Sequence, residues 1–259
     1  MPRHIGVIAL ALSLATVGCG QSFEAASVRL NKNPHTRGNM EFLPGGERFI
    51  ATNVWLGALV ETAYDVTNQQ CDCLSARFPV LTQSFDVVAK ADHPVTPSQM
   101  LRMMQNLLAE RFQLVVRYET KEVPAYALVP DKSGPKLRAS SAVGANELAP
   151  RNPYHARGTE SRTGSSLNLS FANVTMADLA WRLSTLADVE DRAVIDQTDL
   201  NGHYDIELKI GTRSTTELSA DAGPSLFTAL REQLGLRLEP RRMPLQILRI
   251  EHAQRPTDN

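Results

Sequence analysis

The sequence has few cysteines, few aromatic residues and almost no net charge. Three cysteines occur in 259 residues, aromatic residues make up 6% of the chain, and the formal net charge is -1. Three cysteines are too few for a disulfide-rich scaffold. The near-zero net charge gives no electrostatic footprint for nucleic acid or for an anionic membrane surface. A hydrophobic content of 42% and a charged content of 21% are those of an ordinary soluble protein with a sizeable core.

Catalytic motifs are also missing. The six histidines share no metal-binding spacing, and there is no nucleophile elbow, phosphate-binding loop or dinucleotide fingerprint. We therefore predict no metal and no cofactor. A catalytic triad assembles from residues that are distant in sequence, so the missing motifs do not exclude an enzyme. We nevertheless favour a protein without catalytic activity.

The N-terminus has the layout of a secretory leader. Arg3 and His4 precede an apolar run at residues 5–14, which is too short to span a membrane, and small residues lead to Cys19. We expect a signal peptide at residues 1–18. A cysteine after a small residue resembles a bacterial lipobox and predicts lipidation of Cys19; ordinary cleavage with a free thiol and an uncleaved anchor are the alternatives. Gly20 at the next position, by resemblance to Gram-negative lipoproteins, implies sorting to the outer membrane.

The other two cysteines, Cys71 and Cys73, flank Asp72. In an oxidising compartment this pair predicts a disulfide. Two free thiols, or a metal or redox role, are the alternatives. A ring this small would stabilise the fold little through chain entropy.

The chain carries one pattern of four blocks twice, at offsets of 119 to 122 residues. For example, Asn53-Val54 corresponds to Asn173-Val174, and Val123-Pro124 to Met243-Pro244. We predict an α+β fold of two related βαβαββ-type units, each with helices on one face of a small mixed sheet. The first unit spans residues 19–130 and the second residues 168–252. A flexible linker rich in Ser, Gly, Pro and Arg covers residues 131–167, and residues 253–259 form a tail.

Alternating polar and apolar residues predict the strands of each unit, and apolar residues at helical spacing predict its helices. Asn53 is the expected N-cap of the first helix, and Thr96 and Gln99 form a capping box for the second. The predicted strands are residues 23–29, 48–52, 84–91, 112–119, 124–130, 168–172, 202–210, 236–239 and 245–252. The predicted helices are residues 54–64, 97–111, 175–186 and 225–234.

Polar residues cluster before and at the start of the second predicted strand of the second unit. Asp196, Asp199, Asn201 and Asp205 are the candidate ligand-binding residues. A calcium loop with Gly202 sixth would lack both essential carboxylates, so a tight turn at Asn201-Gly202 is favoured. Asp196 with Asp205, or with Glu207, could also serve as the paired carboxylates of a hydrolase.

Nearly the whole mature chain resembles a large, soil-associated family of exported acidobacterial proteins of unknown function, named after Solibacter-type genomes. The resemblance implies no activity or catalytic residue. Related domains look to be fused to membrane sensor-metallopeptidases, which implies periplasmic sensing or binding. The chain departs from the family at Cys71-Asp72-Cys73 and at Asp199, where Gly is usual. Each unit also looks faintly like the short N-terminal modules of secretins and TonB-dependent receptors. The residues that carry the family resemblance are 23–28, 53–54, 63–64, 85–91, 107–112, 122–129, 134–137, 194–198, 202–205, 224–230 and 233–236.

Together these features favour an exported, lipid-anchored cell-envelope protein that binds an envelope protein or a small ligand without catalysis. Its contact with the membrane would be through the lipid anchor alone. A periplasmic hydrolase using Asp196 and Asp205 and a purely structural envelope protein are the alternatives.

Overall fold

The computed structural model describes residues 22–33, 38–43, 45–141, 158–163, 165–189, 192–211 and 223–256. The predicted signal peptide, Cys19 and residues 257–259 of the tail lie outside these ranges. Short 3-10 turns occur at Asn68–Gln70, Pro79–Thr82 and Ala187–Val189, and α4 continues as one wider turn over Leu230–Leu234. The strands and helices are β1 (Ala25–Leu30), β2 (Asn39–Phe42), β3 (Arg48–Trp55), α1 (Leu56–Ala63), β4 (Ser84–Lys90), α2 (Pro97–Phe112), β5 (Val115–Pro130), β6 (Arg138–Ala139), β7 (Gly158–Thr163), β8 (Ser166–Val174), α3 (Met176–Ser184), β9 (Ala193–Asp196), β10 (Tyr204–Gly211), α4 (Leu226–Ala229) and β11 (Leu236–His252).

Two four-stranded antiparallel sheets carry the two halves of the chain. The first has the strand order β1-β4-β3-β2 and the second the order β6-β10-β8-β7. Helices α1 and α2 pack on the first sheet around one apolar core, and α3 and α4 contribute to a second core with the other sheet. The predicted α+β class with small sheets is therefore confirmed.

A third, central sheet joins the halves. β5 and β11 pair antiparallel along their whole length, and β9 lies parallel to β5 on the other side. The predicted breaks at residues 120–123 and 240–244 do not exist, so each predicted strand pair is one strand of 16 or 17 residues. The charged residues read as a turn instead occupy solvent-facing positions of the ribbon. Pro240 and Pro244 are tolerated in this strand because the backbone at both positions points away from β5. The absence of an N–H group there costs no hydrogen bond to β5.

Each long strand completes the core of the other half. Tyr126 and Leu128 of β5 are buried in the second core, whereas Leu248 and Ile250 of β11 are buried in the first. The opposite face of the central sheet carries a third apolar cluster, which includes Met243. The space between the halves is therefore occupied by a shared apolar sheet.

Matching backbone features recur in the two halves. Asn53 and Asn173 adopt left-handed φ angles of 51° and 56°. Their backbone N–H groups donate to Asp86 Oδ1 at 2.8 Å and to Asp205 Oδ1 at 3.1 Å. Asn53 is therefore part of an irregularity in β3 and does not cap α1, which begins at Leu56 without a side-chain cap. The internal duplication stays a prediction, which these features support.

Strands occur where a linker was expected, and buried contacts occur where a tail was expected. β6, β7 and the first residues of β8 lie within residues 131–167. The resolved side chains of β7 are exposed, so this strand shows no apolar face in the sequence. Beyond residue 252, Ala253 is buried in the first core, and the Gln254 N–H donates to the Phe112 carbonyl at 2.8 Å.

Candidate functional site

The predicted carboxylates are held within local structure. Asp196 ends β9 in the central sheet, whereas Asp205 belongs to β10 in the second sheet. Asp196 Oδ1 accepts hydrogen bonds from the Thr198 N–H at 2.9 Å and the Thr198 hydroxyl at 2.8 Å. Such a bond pattern shapes the turn that follows the strand.

The other members of this group continue the same connection. Asp199 is exposed and adopts a left-handed φ of 56°, and the exposed Asn201 accepts the Tyr204 hydroxyl on its carbonyl at 3.1 Å. Hydrogen bonds from the Ser140 side chain and the Asn173 N–H, with the nearby Arg138, hold the pKa of Asp205 below its usual value. The structure therefore uses Asp196 and Asp205 in local contacts of two different sheets.

The outer edge of β1 has no strand partner among the described residues. In its register with β4, the Asn31 N–H donates to the Ser84 carbonyl, so odd-numbered residues bond inward. The backbone groups of Ala26, Val28 and Leu30 consequently point away from the sheet. β1 pairs with β4 alone among the described strands.

A cleft of about 220 Å³ lies beside this edge, between β1 and α2. Phe23 and Ala26 line it from the strand side, and Leu107 and Arg111 line it from the helix. The Arg111 guanidinium also donates to the Ala26 carbonyl at 3.5 Å. A free strand edge and a helix therefore form the two walls of a groove, which we call the β1–α2 groove.

The outer edge of β11 is different. The Leu248 carbonyl accepts the Asp72 N–H at 2.9 Å, so even-numbered residues of β11 point their backbone groups outward. Pro240 and Pro244 occupy two of these outward positions and offer no N–H. Proline at such positions blocks the addition of another strand.

Glu61 is a functional candidate that the sequence interpretation missed. This side chain is 7% exposed, its Oε1 has no hydrogen-bond partner, and burial raises its pKa from 4.5 to about 8. Every residue of α1 is buried, so an acidic side chain in this helix is unusual. Buried polar groups without partners are uncommon and call for an explanation.

Glu61 is one of several buried polar side chains with an unpartnered atom. Five of the six unpartnered buried polar atoms among the described residues lie on α1, on the Asn68–Gln70 turn or on α3. The Gln69 side chain joins these elements, since its Nε2 donates to the Ser184 carbonyl at 2.9 Å. The five atoms belong to Glu61, Thr62, Gln69, Trp181 and Arg182.

The Cys71–Cys73 pair lies at the edge of the central sheet. The two cysteines are disulfide-bonded, with their Cα atoms 5.0 Å apart. Cys71 forms a parallel bridge with Leu248, and the Asp72 carboxylate lies 3.5 Å from the Arg249 guanidinium. The loop therefore extends the sheet by one short segment.

No helix in the described part of the chain is long and apolar enough to cross a membrane. Those same residues contain no group of three His, Cys, Asp or Glu side chains arranged to hold a metal ion.

Comparison with known proteins gives one match. Residues 57–253, about three quarters of the chain, match the model of a family described as "Protein of unknown function (DUF3738)". No curated protein and no solved structure matches the chain.

Proposed function

We propose that this chain, which belongs to the family of unknown function DUF3738, is an exported, lipid-anchored envelope protein that binds another polypeptide. The observation that carries the proposal is the open edge of β1 beside the cleft under α2. An extended segment of the partner adds to β1 as a further strand. Backbone hydrogen bonds then supply affinity, and the cleft selects a side chain.

The groove is lined mostly by polar side chains, among them Glu24, Asn106 and Glu110, and it offers one apolar pair, Phe23 and Leu107, to an apolar group of the bound segment. The N–H group of Ala26 and the N–H and C=O groups of Val28 and Leu30 face the position of the added strand, whereas the Ala26 carbonyl already accepts a hydrogen bond from Arg111. An apolar side chain of that strand would enter between Phe23 and Leu107, which line opposite walls. Strand addition at this edge needs no change in the pairing of β1 with β4.

The position of the groove supports a partner close to the membrane. Ala25 follows Cys19 by six positions, and six extended residues span at most about 20 Å. A lipid on Cys19 would hold the groove within that distance of the bilayer. The partner is therefore an envelope protein whose extended segment lies near the membrane surface.

Two observations support binding over the alternative hydrolase. The carboxylates proposed for catalysis, Asp196 and Asp205, accept hydrogen bonds from neighbouring backbone or side-chain groups. A shared apolar sheet occupies the space between the halves.

The binding edge is tested with Ala26→Pro, which removes one outward N–H and leaves the bonds to β4 intact. Ala26→Val is the matched control because it keeps the N–H. A photo-crosslinking residue at the exposed Arg29 position is expected to trap a band of discrete mass in cells. The band should be lost in Ala26→Pro and kept in Ala26→Val. Equal crosslinking in both variants would show that β1 is not the docking edge.

The anchor is tested separately with Cys19→Ser. Labelling with an alkyne fatty acid, followed by membrane fractionation, is expected to show acylation and membrane retention of the native chain only. Acylation that persists in the variant would contradict a lipid on Cys19.

A further inference from the structure

The two sulfurs of the Cys71–Cys73 disulfide have different surroundings. Cys73 is 0% exposed, whereas Cys71 is partly exposed at the edge of the central sheet. An incoming thiolate can therefore reach Cys71 more readily than Cys73. A bridge between residues two positions apart also constrains the unfolded chain very little, so conformational stability is a weak reason for it.

Attack on Cys71 makes Cys73 the leaving group. A thiolate in apolar surroundings is strongly disfavoured, so this sulfur needs a proton as the S–S bond breaks. Cys73 belongs to the first apolar core, so that proton has to come from the protein.

α1 lies against the cystine loop and carries a buried carboxyl group one turn further along. A Cβ on Gly57 would lie 2.9 Å from the Cys73 carbonyl oxygen, so this face of the helix contacts the cystine loop. Glu61 lies one turn later on the same face, and helical side chains lean toward the preceding turn. The Val66 N–H donates to the Glu61 carbonyl at 3.0 Å, which turns the chain at the end of α1. Since burial raises the pKa of Glu61 to about 8, the carboxyl holds a proton at neutral pH.

Exposed apolar side chains adjoin the pair. Leu74 follows Cys73 and is 64% exposed, and Tyr118 is 51% exposed. Tyr118 pairs with Leu248, which in turn bridges to Cys71, so the tyrosine and the cystine lie on one line across the sheet. Large exposed apolar side chains beside a reactive group suit docking of a protein partner.

We propose that Cys71–Cys73 is a redox-active disulfide that a thioredoxin-like protein dithiol reduces, with Glu61 as the proton donor to Cys73. The inference is independent of the β1–α2 groove. In the first step a partner thiolate attacks Cys71 Sγ, the Cys71–Cys73 bond breaks, and Cys73 Sγ takes the electron pair and the Glu61 proton. In the second step the other partner thiol attacks the partner sulfur of the mixed disulfide. Cys71 leaves and is protonated by solvent, and the second partner thiol gives its proton to the Glu61 carboxylate. One disulfide and two thiols are thus converted to two thiols and one disulfide.

Other titratable groups surround this end of the sheet. They are Tyr64 and Asp65 after α1, Tyr118 on β5, and Asp72 with Arg249. Burial raises the pKa of Tyr64 and of Tyr118, so both phenols remain neutral through the range in which Glu61 titrates. Because the thiolate fraction of dithiothreitol itself rises with pH, each rate is first divided by that fraction. A remaining pH dependence between pH 6 and 9 that disappears on removal of Glu61 is then assigned to Glu61.

The test uses the folded mature chain with dithiothreitol as the dithiol probe. Free thiols are counted by maleimide mass tagging at pH 6 to 9, and circular dichroism monitors the fold. We expect reduction without unfolding, a rate about tenfold lower in Glu61→Gln at pH 7, and partial recovery in Glu61→Asp. Glu122→Gln, at an exposed position of β5, is the control and should match the native rate.

A second variant isolates the attacked sulfur. Cys73→Ser leaves Cys71 alone and is expected to form a mixed disulfide with oxidised glutathione, whereas Cys71→Ser is expected to resist in the folded state. Reduction that occurs only in denaturant overturns the redox assignment. An unchanged rate and pH profile in Glu61→Gln overturns the role of Glu61, and equal trapping in both cysteine variants overturns attack at Cys71.

Discussion

Glu61 should make the stability of this protein fall as the pH rises through neutrality. Its pKa is about 8 in the folded chain, against 4.5 without burial. Between these values the folded state holds a proton that the unfolded state has lost, so the free energy of unfolding decreases with rising pH. The loss starts near pH 4.5 and is complete above about pH 8. At 1.36 kcal/mol per pKa unit, it reaches about 3 kcal/mol by pH 7.

Glu61→Gln removes this titration and keeps the shape of the side chain. The variant should therefore match the native chain near pH 5 and exceed its stability by about 3 kcal/mol at pH 7. For a chain of this size that is a rise in melting temperature of roughly 6 to 12 °C. Urea denaturation at half-unit pH steps, with Glu122→Gln as the control, measures it. Parallel stability curves for native and Glu61→Gln protein between pH 5 and 8 would refute the reasoning.

Three further substitutions test single features. Gly57→Ala should lower the unfolding free energy by about 1–3 kcal/mol, because its Cβ would overlap the Trp55 ring and the Cys73 carbonyl; an unchanged urea midpoint contradicts this packing. Asp199→Gly should be more stable than Asp199→Ala by about 1 kcal/mol, since only alanine is strained at a φ of 56°; equal midpoints would show a relaxed turn. Thr96→Ala should cost about 1 kcal/mol, because the Thr96 side chain accepts the Gln99 N–H. A thermal melt of the variant that coincides with the native one would contradict that cap.

Local signals predicted the helices better than the long strands. The capping box at Thr96 and Gln99 predicted where α2 begins, and both of its bonds are present. β5 and β11 were each predicted as two strands, because charged residues and prolines in their middles are typical of turns. They are continuous because each strand pairs with a partner more than one hundred residues away in the chain. No local pattern contains that information.

The candidate sites show the same limit. Predicting the β1–α2 groove requires knowing on which side β1 lacks a strand partner and where α2 lies. Neither follows from residues 23–30 alone. Glu61 differs from an ordinary solvated acid only because the fold buries it. Asp196 and Asp199 were predicted to bind a ligand because acidic residues lie close together there in the sequence. In the structure these polar residues form a turn.

β5 and β11 each contribute side chains to the core of the other half, so the chain is suited to division into two complementary fragments. If the backbone were cut between residues 141 and 158, each fragment would carry a long strand whose far end belongs in the other fragment's core. Each fragment alone would leave apolar side chains such as Leu128 or Leu248 without their cover. Mixed together, the two would recombine through the β5–β11 ribbon into a one-to-one complex.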